Sequence, residues 1–282
     1  MNITTGATLL FCEGLPRSLD RLMLTNLPDM NVEVVPTGGK KGMPAFVEGA
    51  VYGRTDNPRY VLFRDRDLDA EPPPQPHLIR LEASKPLYAG HRSCIESYFL
   101  SGAMMVEYWN EVLVKWGVCP LDAAGFDSVI EDAARQLADY QAVRWGLRKL
   151  RQMHAANDLP DKLGESSGQL PPDLAYASCL TDALSILGGY RENAGARTPE
   201  SLKQYAEEYR MRFADAQFFA AKAYLAWFHG KDLTTAFNTA LATQRPTLNF
   251  PTGHYMNWAA EQMGQRWYNQ FPDLVELIQL VS

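Results

Sequence analysis

Acidic side chains close two apolar runs near the start of this chain, and a further acid follows a third apolar stretch. Thr8–Cys12 leads into Glu13-Gly14, and Tyr60–Phe63 leads into Arg64-Asp65-Arg66-Asp67-Leu68-Asp69. Glu96 stands within Cys94-Ile95-Glu96-Ser97-Tyr98. A short apolar run that ends in a turn reads as a buried strand of a parallel sheet, with its last residues delivered to the carboxyl edge. Open α/β sheets place their ligands at that edge. Carboxylates gathered there repel one another unless a cation sits between them, and Mg²⁺ prefers hard oxygen donors. The pattern points to a magnesium site suited to phosphate chemistry.

Asp65-x-Asp67 is the sharpest of these signals, because a turn after the strand lets both carboxylates meet one cation. The plainer alternative is a solvated acidic turn ahead of Pro72-Pro73-Pro74. An EF-hand loop counted from Asp65 needs Gly sixth and Glu twelfth; the chain has Ala70 and Pro76 there. A haloacid-dehalogenase-type phosphatase calls for a small hydroxyl residue where Asp69 stands. A sugar-nucleotide transferase with a DxD metal site stays open. Glu13 alone reads as a surface acid and gains weight only as the second acid at a strand end. Gly14 beside it frees the backbone for a tight turn near a ligand.

Basic residues that could meet a phosphate are few. Thr37-Gly38-Gly39-Lys40-Lys41-Gly42 is a glycine-rich turn whose amides can cradle an anion while Lys40 and Lys41 add charge. A flexible turn with solvated lysines is the alternative, and the spacing is not that of a Walker loop. Arg64, Arg66 and Arg92 can grip a phosphate or pair with a nearby acid. Trp227-Phe228-His229-Gly230-Lys231-Asp232 reads as a helix stop, where cations are favoured by the dipole; its functional alternative has Lys231 reaching the substrate. Asp20 is expected to cap or salt-bridge the first helix, with a functional role as the alternative. His77, His91, His154 and His254 lack metal-ligand spacing and read as structural. Tyr205, Tyr209, Phe213 and Tyr224 fall at helical intervals, as core or an oligomer face before a base-stacking platform.

The elements that must position these residues alternate as in a βαβ sheet. Strands are expected at Leu9–Cys12, Val32–Val35, Tyr60–Phe63 and His77–Leu81, with helices over Arg17–Leu27, Gly42–Ala50 and His91–Trp109. Beyond about residue 105 the pattern turns helical. Ser128-x-x-Glu131 reads as a capping box opening a helix, and Asp158–Asp173 as an exposed loop. Thr198-Pro199 opens a helix expected to run to about Phe228, with Gly230 ending it. Helical segments follow near Leu233–Ala242 and Thr252–Asn269, then an apolar run at Leu274–Val281. The expected class is α/β: a mostly parallel sheet flanked by helices over residues 1–105, then an all-helical half over 106–282 for dimerisation or for binding partner and substrate.

Composition narrows the classes. With 46% hydrophobic and 21% charged residues the chain is globular rather than disordered. A formal net charge of −6 argues against a broad electrostatic grip on nucleic acid, though a metal and local cations can still meet a phosphate. No apolar run approaches the roughly 20 residues that span a bilayer, and Met1–Gly6 carries no Lys or Arg of a signal peptide. Cys12, Cys94, Cys119 and Cys179 are scattered, without a CxxC, so neither a zinc ribbon nor a disulfide framework is expected. Cys12 and Cys94 read as buried thiols. A soluble, cytoplasmic protein is expected, with no membrane partner.

The order strand–Glu13-Gly14, helix, strand, Asp65-x-Asp67 resembles the TOPRIM domain of topoisomerases, primases and OLD-family nucleases. More narrowly, five segments resemble the DUF4435 group of TOPRIM proteins. They are Phe11-Cys12-Glu13-Gly14, Ser18-x-Asp20, Val35-Pro36-x-Gly38-Gly39-Lys40, Phe63–Asp69 and Ile95-Glu96-Ser97-Tyr98. The nuclease subunit of the PARIS anti-phage defence systems belongs to that group. The motifs cover roughly residues 8–100. The chain departs from the pattern in placing Asp20 farther behind the glutamate than is usual, and Ser97 where Asn is common.

The resemblance implies a Mg²⁺-dependent endonuclease, with Mn²⁺ as an alternative ion. Glu13 matches the family's general acid/base or metal-bound glutamate, and Asp65 and Asp67 its metal ligands. Asp69 and Glu96 fit as supporting ligands or as acids that steady them; Lys40, Lys41, Arg66 and Lys231 are the substrate-binding candidates. The narrower resemblance implies a toxic anti-phage effector that cuts RNA such as tRNA. It would be restrained by an ABC-type ATPase partner until infection and act as a homodimer once freed. The alternatives are a DNA-cutting OLD-like nuclease, a phosphatase or DxD transferase, or a binding module whose acids are vestigial.

Overall fold

The computed structural model describes residues 8–28, 32–52, 59–153, 159–164, 166, 168–189 and 199–282. His154 and Thr198, both assigned from sequence, lie outside the described residues. The front part runs β1 (Thr8–Cys12), α1 (Leu19–Thr25), β2 (Val32–Pro36), α2 (Met43–Val51), β3 (Tyr60–Arg64), β4 (Ile79–Glu82) and β5 (Leu87–Ala89). The strands form one sheet in the order β2-β1-β3-β5-β4; β4 alone runs antiparallel, against β5 at the edge. This is the α/β class with a mostly parallel sheet that the alternating pattern predicts.

Burial explains why β1 reads as unbroken hydrophobicity. Leu9 and Phe11 pack under α2 with Val35, Met43, Val47 and Leu62. Leu10 and Cys12 face the other way, among Met23, Leu24 and Phe63. Successive side chains of a strand alternate between faces, and a sheet covered on both faces keeps both sets apolar. In register, Cys12 lies opposite both Pro36 and Phe63, and Arg64 lies opposite Ala89. The segments that follow β1, β2, β3 and β5 therefore leave the sheet at one level.

The remaining helices are α3 (Gly102–Val112), α4 (Ala123–Met153), α5 (Tyr176–Gly189), α6 (Pro199–Phe213), α7 (Ala216–Ala220), α8 (Tyr224–Trp227), α9 (Gly230–Gln244), α10 (Thr252–Arg266) and α11 (Pro272–Val281). The 31-residue α4 is a spine roughly 46 Å long, packed against α3, α5, α6 and α9. The residue-105 boundary expected from sequence falls within α3, and one buried apolar core runs from Leu10 through to Val281. Tyr209, Phe213 and Tyr224 are buried in it and Tyr205 packs against it, so the aromatic stripe is core. No described helix is long and apolar enough to cross a membrane.

Three expected elements differ, each for a tertiary reason. The helix expected over His91–Trp109 is an irregular segment, a 3₁₀ turn at Ile95–Phe99, and then α3. There the Tyr98 hydroxyl donates to Asp273 and the Tyr255 hydroxyl donates to the Phe99 carbonyl at 2.5 Å, contacts that a continuous helix could not present. The helix expected from Thr198 to Phe228 is broken into α6, α7 and α8. Asp215 caps α7 by accepting from the Gln217 N–H at 2.9 Å, and Lys222 turns left-handed at φ 50°. The Ser128 capping box lies inside α4, which opens at Ala123 with Asp122 accepting from the Gly125 N–H at 2.7 Å.

Candidate functional site

The carboxyl edge of the sheet is laced together by its loops. After β1, Gly14 at φ +93° exchanges hydrogen bonds with Gly38 after β2, at 2.6 and 2.8 Å. A Cβ on Gly14 would lie 2.3 Å from Ser18 Oγ, so the turn that displays Glu13 requires glycine. After β3, Asp65 Oδ1 accepts from the Ile95 N–H at 3.0 Å, and the Asp67 N–H donates to the Ser93 carbonyl at 2.6 Å. These bonds join the loop after β3 to the segment after β5. Three chain segments thereby carry Glu13, Asp65 and Glu96 to one place.

Those three acids line a cleft of about 520 Å³ together with Asp20 and Lys231. Ser18 rather than Asp20 caps α1, accepting from the Arg21 N–H, and Asp20 lines the cleft, where its functional alternative puts it. The electrostatics are those of crowded, partly dehydrated carboxyls. Burial first, and then Asp20, Asp67 and Glu96, push the Asp65 carboxyl well above its usual range. Burial followed by Glu96 raises Asp20 to about 7. Glu13 is raised by burial and Asp67, against the pull of Lys40 and Arg64. Lys231 Nζ lies 3.8 Å from Glu96. Burial works against its charge, but Glu96 and the acids beyond hold its pKa above the usual lysine value.

Asp67 and Asp69 open onto a second cleft, of about 350 Å³, alongside Lys40, Lys41, Arg148, Arg151 and His229. Asp67 is left-handed, at φ 51°, which separates its carboxylate from that of Asp65. Its oxygens take Lys40 Nζ at 2.8 Å and His229 Nε2 at 3.3 Å. His229 Nδ1 accepts from the Lys231 N–H at 3.2 Å, capping α9, so Nε2 is the nitrogen left to donate to Asp67. Burial opposes ionisation of Asp67, but these bonds outweigh it and hold its carboxyl far below the usual range. Asp69, expected among the metal ligands, pairs instead with Lys40, Arg148 and, at 2.6 Å, Arg64. With three cations on it, Asp69 belongs to an ion-pair network.

Two further expectations are corrected. Arg66 is not available to a substrate: it is wholly buried and donates to the carbonyls of Ala70 and Ala226. Trp227 ends α8, as the helix-stop reading expects, but Gly230–Asp232 open α9, so Lys231 stands where the dipole disfavours a cation, and the acidic cleft compensates it. Asp232 beside it is fully buried and accepts from Gln141 Nε2 at 2.8 Å, the Gly168 N–H at 2.7 Å and Arg144. Lys40 and Lys41 line the basic cleft and Lys231 the acidic one. Arg148, Arg151 and His229 were not among the candidates. The spacing of Arg144, Arg148 and Arg151, four and then three residues, was the available signal, since it places them along one helix face.

The residues of the acidic cleft fit a divalent cation. Donor atoms of Asp65, Cys94 and Glu96 all lie within 4.8 Å of one another. Glu13 Oε2 and Glu96 Oε2 are buried without a hydrogen-bond partner, a costly arrangement for a carboxylate unless another ligand satisfies it. Asp67 is engaged elsewhere, so the ligand set is narrower than the sequence suggested and is drawn from the ends of β1 and β3 and the segment after β5. No family model matches this chain, and no curated protein matches it.

Proposed function

We propose that the chain is a divalent-metal-dependent phosphodiesterase of TOPRIM-like type, a nuclease acting on RNA. The observation that carries this reading is the cleft at the carboxyl edge. Glu13, Asp65 and Glu96 meet there with two unpartnered buried oxygens, and a cleft lined by lysines and arginines lies across Asp67. A phosphodiester needs both: carboxylates to hold a cation, and fixed positive charge for the anion that remains.

Asp65 and Glu96 would hold the ion, Mg²⁺ or Mn²⁺, with Glu13 beside them. When bound, the ion supplies Lewis acidity to a phosphate oxygen and counter-charge to the carboxylates. Glu13, its carboxyl raised by burial and Asp67, is placed to take up or give back a proton at the attacking or leaving oxygen. Lys40, Lys41, Arg148 and Arg151 steady the phosphate backbone, and Lys231 balances the acids. Following the family resemblance, the substrate is RNA such as tRNA. An ABC-type ATPase partner restrains the chain until phage infection, and the freed chain acts as a homodimer.

The test incubates the purified chain and its Glu13→Ala form with total tRNA and plasmid DNA, with and without Mg²⁺. The expected result is metal-dependent cutting of tRNA by the parent, reduced about 10²–10⁴-fold in Glu13→Ala, as for loss of a general acid or base. Cutting of plasmid alone moves the substrate to DNA. Phosphate release from a small ester without nucleic-acid cleavage moves the protein to the phosphatases, and equal activity in Glu13→Ala removes the acidic cleft from the chemistry.

A further inference from the structure

Buried behind the acidic cleft, next to Asp65 and Glu96, is a donor that a magnesium site does not use. Cys94 is buried, and its Sγ is one of the three donor atoms, with those of Asp65 and Glu96, that lie within 4.8 Å of one another. We propose that Cys94 is a direct ligand, making the cleft a mixed thiol–carboxylate site that takes a thiophilic divalent cation of the Zn²⁺ class in preference to Mg²⁺. This rests on reading the acidic cleft as a cation site and adds to it the identity of the ion.

Three features of the surroundings support a liganding sulfur. A tetrahedral ion with a sulfur at about 2.3 Å and oxygens at about 2.0–2.2 Å needs donors roughly 3.5 Å apart, and the three donors here lie within 4.8 Å of one another. Glu96 Oε2 is buried without a hydrogen-bond partner, and an ion there satisfies it. The Gly230 N–H, in the first turn of the 15-residue α9, donates to Cys94 Sγ at 3.1 Å. Such bonds orient a ligand and stabilise a metal-bound sulfur. The approach needs glycine: a Cβ on Gly230 would lie 2.6 Å from Cys94 Sγ and 2.6 Å from Ser97 Oγ.

The hard–soft distinction then assigns the ion. Mg²⁺ draws on oxygen alone and leaves the thiol protonated. A thiophilic ion binds the sulfur as well, and the thiol proton passes to solvent as the sulfur–metal bond forms; no electron is transferred. The same cleft thus accepts two kinds of ion by different donor sets, and the thiophilic ion competes with Mg²⁺ for Asp65 and Glu96.

The experiment titrates the full chain, kept reduced, with Cd²⁺ as the spectroscopic stand-in for Zn²⁺, recording the ultraviolet sulfur-to-cadmium charge-transfer band. Mn²⁺ binding is followed separately by electron paramagnetic resonance. The band is expected in the parent and absent in Cys94→Ser, although Cys12, Cys119 and Cys179 remain. Cd²⁺ affinity should fall about 100-fold, the upper end of what loss of even an outer ligand partner costs, while Mn²⁺ affinity stays near the parent's. Asp65→Asn should weaken both ions. A band that persists in Cys94→Ser, unchanged Cd²⁺ affinity, or equal loss of both ions in that variant overturns the inference. In the first two cases Mn²⁺ binding leaves the cation cleft standing; failure of the parent to bind either ion removes the cleft reading as well.

Discussion

Asp65 and Asp67 leave the same strand two residues apart, yet their carboxyls are driven in opposite directions. Asp65 faces Asp20, Glu96 and Glu13 and is pushed up by burial and by those acids. Asp67 is also partly buried, but Lys40 and His229 bond its oxygens and hold it down. Residue type is the same and the backbone neighbourhood nearly so. What differs is the charge that the fold delivers: acids from β1, α1 and the turn after β5 on one side, cations from the loop after β2, from α4 and from the start of α9 on the other. The acidic cleft gathers four acids, Glu13, Asp20, Asp65 and Glu96, against Arg17 and Lys231; the basic cleft has its ion pairs already made. A strand-end Asp-x-Asp is therefore not one site but the boundary between two.

The sharpest way to break this contrast is to remove the support of the basic cleft. Arg144 is buried and bound to Asp232, itself fully buried and tied to Gln141 and to the Gly168 N–H. Arg144→Leu leaves that carboxylate charged and without its cation, and should cost about 3–5 kcal/mol of stability, read by urea unfolding at neutral pH. On the acidic side Glu96 has a long, 3.8 Å pairing with the half-exposed Lys231, set against the repulsion of Asp20 and Asp65, so Glu96→Gln should cost little or stabilise the metal-free chain. Equal losses from the two substitutions would mean that the clefts do not differ in the way described.

A pH series tests the same contrast at smaller energy, up to about 1.4 kcal/mol per pH unit for each proton linked. Asp20 is raised from 3.8 to about 7, chiefly by burial and then by Glu96. The folded chain thus holds a proton that the unfolded chain releases. Its contribution is complete below pH 3.8, drains away as the pH climbs to about 7, and is flat beyond. Asp67 is lowered, so its contribution is present above the usual carboxylate value and is lost as the pH falls below it. With divalent ions chelated, Asp20→Asn should flatten the limb between pH 4 and 7, and Asp67→Asn the acid limb. Finding both effects on one limb would erase the distinction.

Much of the acidic cleft was legible in the sequence, because β1 and β3 are short apolar runs with acids at their ends and need no distant partner to be recognised. Lys40 and Lys41 were legible for a similar reason, as cations in the chain's glycine-rich basic turn. β5 was not: three residues, Leu87–Ala89, give too short a run to show alternation, and the segment after it carries a helical spacing of apolar residues. Arg66 and His229 were hidden for a different cause. Arg66 is buried by the carbonyl of Ala226, and His229 finds its role only against Asp67. Those partners lie some 160 residues apart in the chain, and no local pattern encodes such a pairing. Asp69 illustrates the same limit, since its partner Arg148 comes from the far end of α4.

On the proposed nuclease reading, the finest test asks which cleft the phosphate backbone would cross. Arg151 lines the basic cleft, with its guanidinium 3.6 Å from Asp161, a looser pairing than that of Arg148 with Asp69. It can therefore turn to a phosphate without stranding a buried acid. Arg151→Ala should weaken RNA binding similarly for different sequences and lower the slope of log affinity against log salt by about 1, the signature of one lost phosphate contact. Binding is to be measured with Ca²⁺ in place of Mg²⁺, over a range of salt concentrations. Lys231→Ala, on the other side of Asp67, should leave that slope unchanged, because its ammonium is held by Glu96. If Lys231→Ala lowers the slope and Arg151→Ala does not, the backbone runs over the acids, and the basic cleft is structural alone.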